Sequence, residues 1–239
     1  VATKFLPRPA GDPYEPGALR RRILEGCEIS LTRLGTDHID LYYQHYPDAD
    51  APVDEALETL TELVQAGKVL HIGSSNVTAA QVFAADGVAR DRGFSRFEVC
   101  QLEWSLLQRD AETELVPTCR QHGLGIVPYF PLASGMLTGK YRRGEEFPAD
   151  SRLAANAYFA SVATDENFAK VEWLTKYAEE HGHTLMELAV SWLAGQEGTL
   201  SVITGATKRE QVLANAGAAN WKLTEADYRA VDEGLAGIA

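Results

Sequence analysis

Six short runs of β-branched and aromatic residues, beginning near Val1, His38, Val69, Phe97, Gly125 and Leu200, alternate with stretches of helical period. Such alternation implies parallel strands, because a parallel neighbour is reached only by a long return that a helix fills. The helix after Pro52 is the clearest. Val53, Ala56, Leu57, Leu60, Leu63 and Val64 make one apolar stripe, and Asp54, Glu55, Glu58 and Glu62 fall on the other side. Pro52 opens it and Gly67 closes it. Two further helix starts are written as capping boxes, Thr184 with Glu187 and Thr224 with Asp227. The interval between the fifth and sixth runs is much the longest, and its first part, about residues 133–165, is rich in Gly, Ser and charge. Long loops inside compact folds are usually functional, so a binding lid or clamp is expected there. No repeat, low-complexity tract or linker divides the chain, and one domain over residues 1–239 is expected.

Periodicity alone fits an open doubly wound sheet and a closed barrel equally well. A doubly wound sheet that binds a dinucleotide carries a glycine-rich fingerprint after its first strand. Here Leu6-Pro7-Arg8-Pro9-Ala10-Gly11 follows instead, so any dinucleotide is held by other means. The balance of 22 Lys+Arg against 34 Asp+Glu gives a net charge of -12, which repels nucleic acid and anionic membrane. Cys27, Cys100 and Cys119 are far apart, and neither His38 nor His71 has the spacing of a ligand set, so no metal site is expected. Reduced thiols, no apolar run near the ~20 residues that span a bilayer, and no signal segment give the expectation of a cytoplasmic protein.

In parallel α/β folds, reacting groups collect at the C-terminal ends of strands. Lys4 lies inside the first run, where it either snorkels to solvent or serves chemistry. The second run ends in His45, whose imidazole is placed to donate to a substrate oxygen or to fill a structural role. Ser75 and Asn76 end the third run, Gln101 lies in the fourth, and Tyr129 with Phe130-Pro131-Leu132 ends the fifth. Amide and hydroxyl groups at adjacent strand ends suit a carboxamide, and an aromatic face suits a planar ring such as nicotinamide.

Two stretches carry a resemblance. Leu31-Thr32-Arg33-Leu34-Gly35-Thr36-Asp37-His38-Ile39-Asp40-Leu41-Tyr42-Tyr43-Gln44-His45 resembles the signature leading into the fourth strand of the aldo-keto reductases. Ala66-Gly67-Lys68-Val69-Leu70-His71-Ile72-Gly73-Ser74-Ser75-Asn76 is similar to the one leading into the fifth. The match is to the bacterial type, near the branch that includes potassium-channel β subunits, and runs from Val1 to about Leu223. That family is a TIM-type (β/α)8 barrel, so the resemblance implies an incomplete barrel: strands three to eight, with the first two βα units absent. It implies an NADP(H)-dependent reduction of aldehydes or ketones. Catalysis in the family rests on a tyrosine acid, a lysine that lowers its pKa, an aspartate and a histidine. Lys4 and His45 match the lysine and histidine. The aspartate and tyrosine would fall upstream of Val1, so the 239 residues alone are expected to be inactive.

By the same resemblance, Ser75, Asn76 and Gln101 would hold the carboxamide, Tyr129 would stack on the ring, and Phe130, Pro131 and Leu132 would follow the cofactor backbone. Lys140 and Arg152 match cationic clamp positions. Gly205, Thr207, Arg209, Gln211 and Asn215 resemble the adenosine site, with Thr207 and Arg209, and less so Lys208, placed toward a 2′-phosphate. Ala214 stands where that branch often has glutamate. Tyr46, Trp104 and Tyr158 are candidate pocket walls. Two other functions stay open: a nucleotide-sensing subunit with little turnover, and an inactive partial barrel.

Overall fold

The computed structural model of the chain describes residues 1–9 and 12–238, so Ala10 and Gly11 of the segment after the first strand lie outside the described residues. In order come β1 (Ala2–Phe5), α1 (Ala18–Leu34), β2 (Ile39–Gln44), α2 (Val53–Gln65), β3 (Val69–Ser75), α3 (Ala79–Arg92), β4 (Val99–Glu103), α4 (Leu115–Gln121) and β5 (Gly125–Tyr129). The sheet order is β1-β2-β3-β4-β5, and β1 to β4 pair in parallel. This order decides what periodicity left open. A doubly wound sheet reverses direction at a switch point. Here every step goes the same way, as in a (β/α) barrel that is incomplete over these strands.

The sixth expected strand does not form. Residues 200–205 have no regular structure, and the ladder is reduced to Ile203 N donating to the Pro128 carbonyl at 2.9 Å. Strands of parallel sheets are covered on both faces. Leu200 and Ile203 are both exposed, so that burial is missing and the segment stays irregular.

The chain divides into two compact units, Val1–Leu102 with Glu112–Val127, and Glu103–Ala111 with Pro128–Ala239. In the first, alternate strand residues face opposite ways. Phe5, Tyr42 and Ile72 pack with Leu19, Ile23, Leu57, Leu60 and Ala85 of the helices. Tyr43, Val99 and Val127 pack together with half-buried Leu41. The Val53–Gln65 stripe is buried at Ala56, Leu57, Leu60 and Leu63 as its period requires, and Gly67 turns the chain with φ 71°.

Gly26 sets how close α1 comes to the sheet. A Cβ there would meet the Tyr42 hydroxyl at 2.8 Å and Phe5 Cβ at 3.3 Å. That buried hydroxyl donates to the Ile23 carbonyl at 3.1 Å. Alanine in place of glycine normally stabilises a helix by ~1 kcal/mol. Gly26→Ala is expected to do the reverse, lowering stability by about 1–3 kcal/mol through overpacking, read as a lower urea midpoint.

The second unit holds a 3-10 segment (Ala133–Thr138), α5 (Arg152–Ala155), α6 (Ala157–Ala160), α7 (Asp165–Glu180), α8 (Leu185–Ala194), α9 (Arg209–Gly217) and α10 (Glu225–Ala236). Helix α7 packs on α8 and α10. Both expected capping boxes form, at Thr184 with Glu187 and Thr224 with Asp227. Trp104 meets Trp192 edge-on at 5.5 Å between ring centroids. Among the described residues, no helix is long and apolar enough to cross a membrane.

Candidate functional site

In the first unit, the parallel register brings five expected site residues to the C-terminal end of the strands. Lys4 lies opposite Tyr43, and Ser75 opposite Gln101. His45 N donates to the Phe5 carbonyl at 3.1 Å, continuing the ladder one residue past β2. Asn76 joins the three strand ends: its side-chain amide donates to the His45 carbonyl at 2.8 Å and to Ser75 Oγ at 3.2 Å. Its backbone N–H donates to the Gln101 carbonyl at 3.4 Å. Asn76 holds φ 56°, a left-handed conformation that asparagine tolerates better than most residues.

The electrostatics suit a neutral imidazole beside a cation. Lys4 Nζ lies 5.8 Å from the Tyr43 ring centroid, and desolvation lowers its pKa. Desolvation, then the Lys4 charge, lowers that of His45, which is neutral at pH 7 and able to donate one N–H. Gln101 is 5% exposed, and its Oε1 is buried without a partner among the described residues. A buried acceptor of this kind usually has a donor, and a carboxamide N–H₂ would supply one.

In the second unit, Tyr129 meets Phe130 edge-on at 5.2 Å. Phe130, Ala133 and Ser134 all have positive φ, a strained path for residues with a Cβ. Pro131 is buried and Leu132 half-buried on that path, and the Leu132 carbonyl accepts from Gly135 N at 2.8 Å. The Arg152 guanidinium lies 5.8 Å from the Phe130 ring and 5.1 Å from that of Phe159. Lys140 Nζ lies 4.9 Å from the Tyr141 ring.

Gly205, Thr207, Gln211 and Asn215 come together in the loop that opens α9. Gln211 Oε1 accepts from Thr207 N at 2.7 Å and Lys208 N at 3.2 Å, and the Asn215 amide donates to the Gly205 carbonyl at 3.2 Å. These two amides are already engaged in shaping the loop. Arg209 begins α9. Lys4, Lys140, Arg152, Lys208 and Arg209 have no carboxylate partner among the described residues, whereas Arg8, Arg20, Lys68, Arg96 and Arg109 each have one. In so acidic a protein, unpaired cations are the ones available to phosphate.

Of the candidate pocket walls, Trp104 is 1% exposed and meets Trp192 edge-on within the second unit. Tyr46 and Tyr158 are exposed.

Sequence reasoning missed a supporting pair. Arg8, just past β1, forks onto Asp48, just past β2, with Nε at 2.9 Å and Nη2 at 2.8 Å from the two carboxylate oxygens. Both side chains are nearly buried, at 6% and 3% exposure. The signal was legible: opposite charges three and four residues past the ends of adjacent parallel strands. A second buried carboxylate, Asp86, binds Arg90 Nε at 2.8 Å, His122 Nδ1 at 2.9 Å and the Arg96 guanidinium.

Burial alone would raise both carboxyls. Hydrogen bonds outweigh it, from Arg8 and the backbone at Asp48 and from Arg90, His122 and Arg96 at Asp86, and hold each at about 2. A carboxyl depressed in the fold contributes its stability above the unfolded value of ~3.9 and loses it as pH falls toward the folded value. Urea midpoints are therefore expected to drop as pH falls from about 4 to about 2. A loss centred near pH 6.5 would instead assign the transition to histidine.

A sequential parallel βα sheet with a lysine, a histidine and three amide or hydroxyl groups at its strand ends defines the class. The chain belongs to the aldo/keto reductase family, whose profile matches residues 1–236. It is 38% identical over 208 residues to "Probable voltage-gated potassium channel subunit beta" of Arabidopsis thaliana, covering 85% of this chain and 63% of that protein. It is 38% identical over 209 residues to "Probable aldo-keto reductase 1" of Glycine max, covering 87% and 58%. It is 38% identical over 220 residues to a protein of Oryza sativa subsp. japonica that is also called "Probable voltage-gated potassium channel subunit beta", covering 90% and 66%. The chain thus spans less than two thirds of the length of these relatives.

Proposed function

We propose that the protein is an oxidoreductase that reduces aldehyde or ketone carbonyls with NADP(H). The observation that carries this is the buried, unpartnered Gln101 Oε1 beside Ser75 and Asn76, a cradle that fits a carboxamide, on a strand end shared with Lys4 and His45. When bound, the reduced nicotinamide supplies a hydride to the carbonyl carbon. Ser75, Asn76 and Gln101 fix its carboxamide, and Tyr129 gives it an aromatic face. Phe130, Pro131 and Leu132 follow the cofactor backbone. Lys140, Arg152, Thr207 and Arg209 offer cations and a hydroxyl to its phosphates, with Gly205, Gln211 and Asn215 shaping the adenosine end. The neutral His45 imidazole donates its N–H to the carbonyl oxygen and orients it. The Lys4 ammonium favours the ionised form of a nearby acid, which is the way a lysine lowers a phenol's pKa. In the family pattern that acid is a tyrosine, which no residue of this sequence matches.

Residues 1–239 act as one barrel domain in this reading. Three free, buried cysteines fit a reducing compartment such as the cytoplasm. In a protein that includes a segment supplying that acid, oxidation of NADPH with 4-nitrobenzaldehyde, followed at 340 nm, tests the proposal, and turnover well above the rate without protein supports it. The names of two relatives favour a second reading, a nucleotide-binding subunit with little turnover. Tight NADPH binding without aldehyde-dependent oxidation would select it.

A further inference from the structure

On the face of the sheet opposite Lys4, Tyr43 and Ser75, the register lines up Phe5, Gln44, Ser74 and Cys100 in one row across β1 to β4. Two polar side chains therefore sit in the apolar layer between strands and helices. Ser74 is 1% exposed, and apart from the Cys100 thiol its Oγ has no hydrogen-bond partner among the described residues. Its polar neighbour is the Cys100 thiol, a weak hydrogen-bonding group. Gln44 is 6% exposed, and its side-chain amide, which makes no hydrogen bond among the described residues, is not fully enclosed. Leaving a fully buried hydroxyl such as that of Ser74 without a good partner is costly, so native proteins normally give it one.

Both residues line a cavity of about 250 Å³. The apolar part of its wall is formed by Val53 and Ala56 of α2, and by Val77, Val82 and Ala85 at α3. It opens beside exposed Ala49, Pro52 and Gln81, between the loops that follow β2 and β3. The two carboxylates on its lining, Asp48 and Asp86, are already satisfied by Arg8 and by Arg90, Arg96 and His122. Neither an anion nor a cation finds a free counter-charge there. The volume is somewhat below the ~300–1,000 Å³ of drug-sized sites.

We propose that this cavity binds a small neutral molecule bearing a primary carboxamide or hydroxyl on an apolar body, with its polar group on Gln44 and Ser74 and its body against α2 and α3. The site is distinct from the strand-end cradle and independent of the function proposed above. It backs onto that cradle, because Gln44 and Ser74 immediately precede His45 and Ser75, and Asn76 bonds the two strand ends together.

Benzamide is the probe, with toluene as the apolar control and benzoate as the anionic one, titrated into the ¹⁵N-labelled full protein. Saturable shifts at Gln44, Ser74 and residues 77–85 are expected with benzamide, and weaker binding with benzoate. Ser74→Ala and Gln44→Leu should each weaken benzamide about tenfold, the loss of one hydrogen bond, and leave toluene unchanged. Ser74→Ala removes a hydroxyl without a strong partner and should fold normally, which a thermal melt verifies. The proposal is overturned if benzamide gives no saturable shifts, as for a cavity that holds only water, or if its shifts lie elsewhere. It is equally overturned if toluene binds as tightly as benzamide, or if neither variant alters benzamide affinity.

Discussion

Replacing Arg8 by methionine is expected to lower the urea midpoint more than any other single change to the fold, because it leaves the Asp48 carboxylate without its partner. The side chains are nearly isosteric along the stem, so the loss is chiefly electrostatic. Asp48 would keep the backbone N–H groups of Asp50 and Ala51, at 3.1 Å each, but lose the fork that neutralises it. The double variant Arg8→Met/Asp48→Asn removes the stranded charge and keeps an acceptor for the loop, so it should recover at least half of the loss. Urea unfolding at pH 7 reads all three proteins. An additive double variant would mean that the pair is not coupled, which its geometry contradicts.

Lys4→Met, made in a protein that includes a segment supplying the acid, should have the largest effect on chemistry. If the ammonium lowers the pKa of the acid that protonates the carbonyl oxygen, its removal should cut kcat by about 10²-fold or more, within the ~10²–10⁴ that a positioned acid contributes. The effect should fall on kcat and leave the KM for NADPH nearly unchanged, because the proposed role of Lys4 is toward the acid and not toward the cofactor. The alkaline limb of the pH profile should move upward. A rise in the KM for NADPH with normal kcat would make Lys4 a binding residue instead. Lys4→Arg, which keeps the charge but not its size or place, is expected to recover only part of the rate.

Much of this architecture was legible in the residues, because helix period and caps are local. The stripe from Val53, the stop at Gly67 and the boxes at Thr184 and Thr224 each depend on neighbours a few positions away. The choice between open sheet and barrel depends on strand order, which is not local, and only the resemblance carried it. The expected strand at Leu200 had the right residue types but lacked cover on both faces, a condition set by tertiary packing. The gathering of Lys4, His45, Ser75, Asn76 and Gln101 followed from parallel pairing, since strand ends in such a sheet lie side by side. Trp104, expected as a pocket wall, is buried with its ring edge-on to Trp192, a contact between residues far apart in sequence. The charges of Arg8 and Asp48 just past β1 and β2 were legible, and pairing those two strands is what brings them together.

Titration of the protein with NADPH, followed by quenching of tryptophan fluorescence, tests the claim on which the functional account rests. Saturable binding is predicted, with Gln101→Leu raising Kd about tenfold through loss of the carboxamide's acceptor and of no other contact. Absence of saturable binding, or an unchanged Kd in that variant, would contradict the assignment of these strand ends to a nicotinamide.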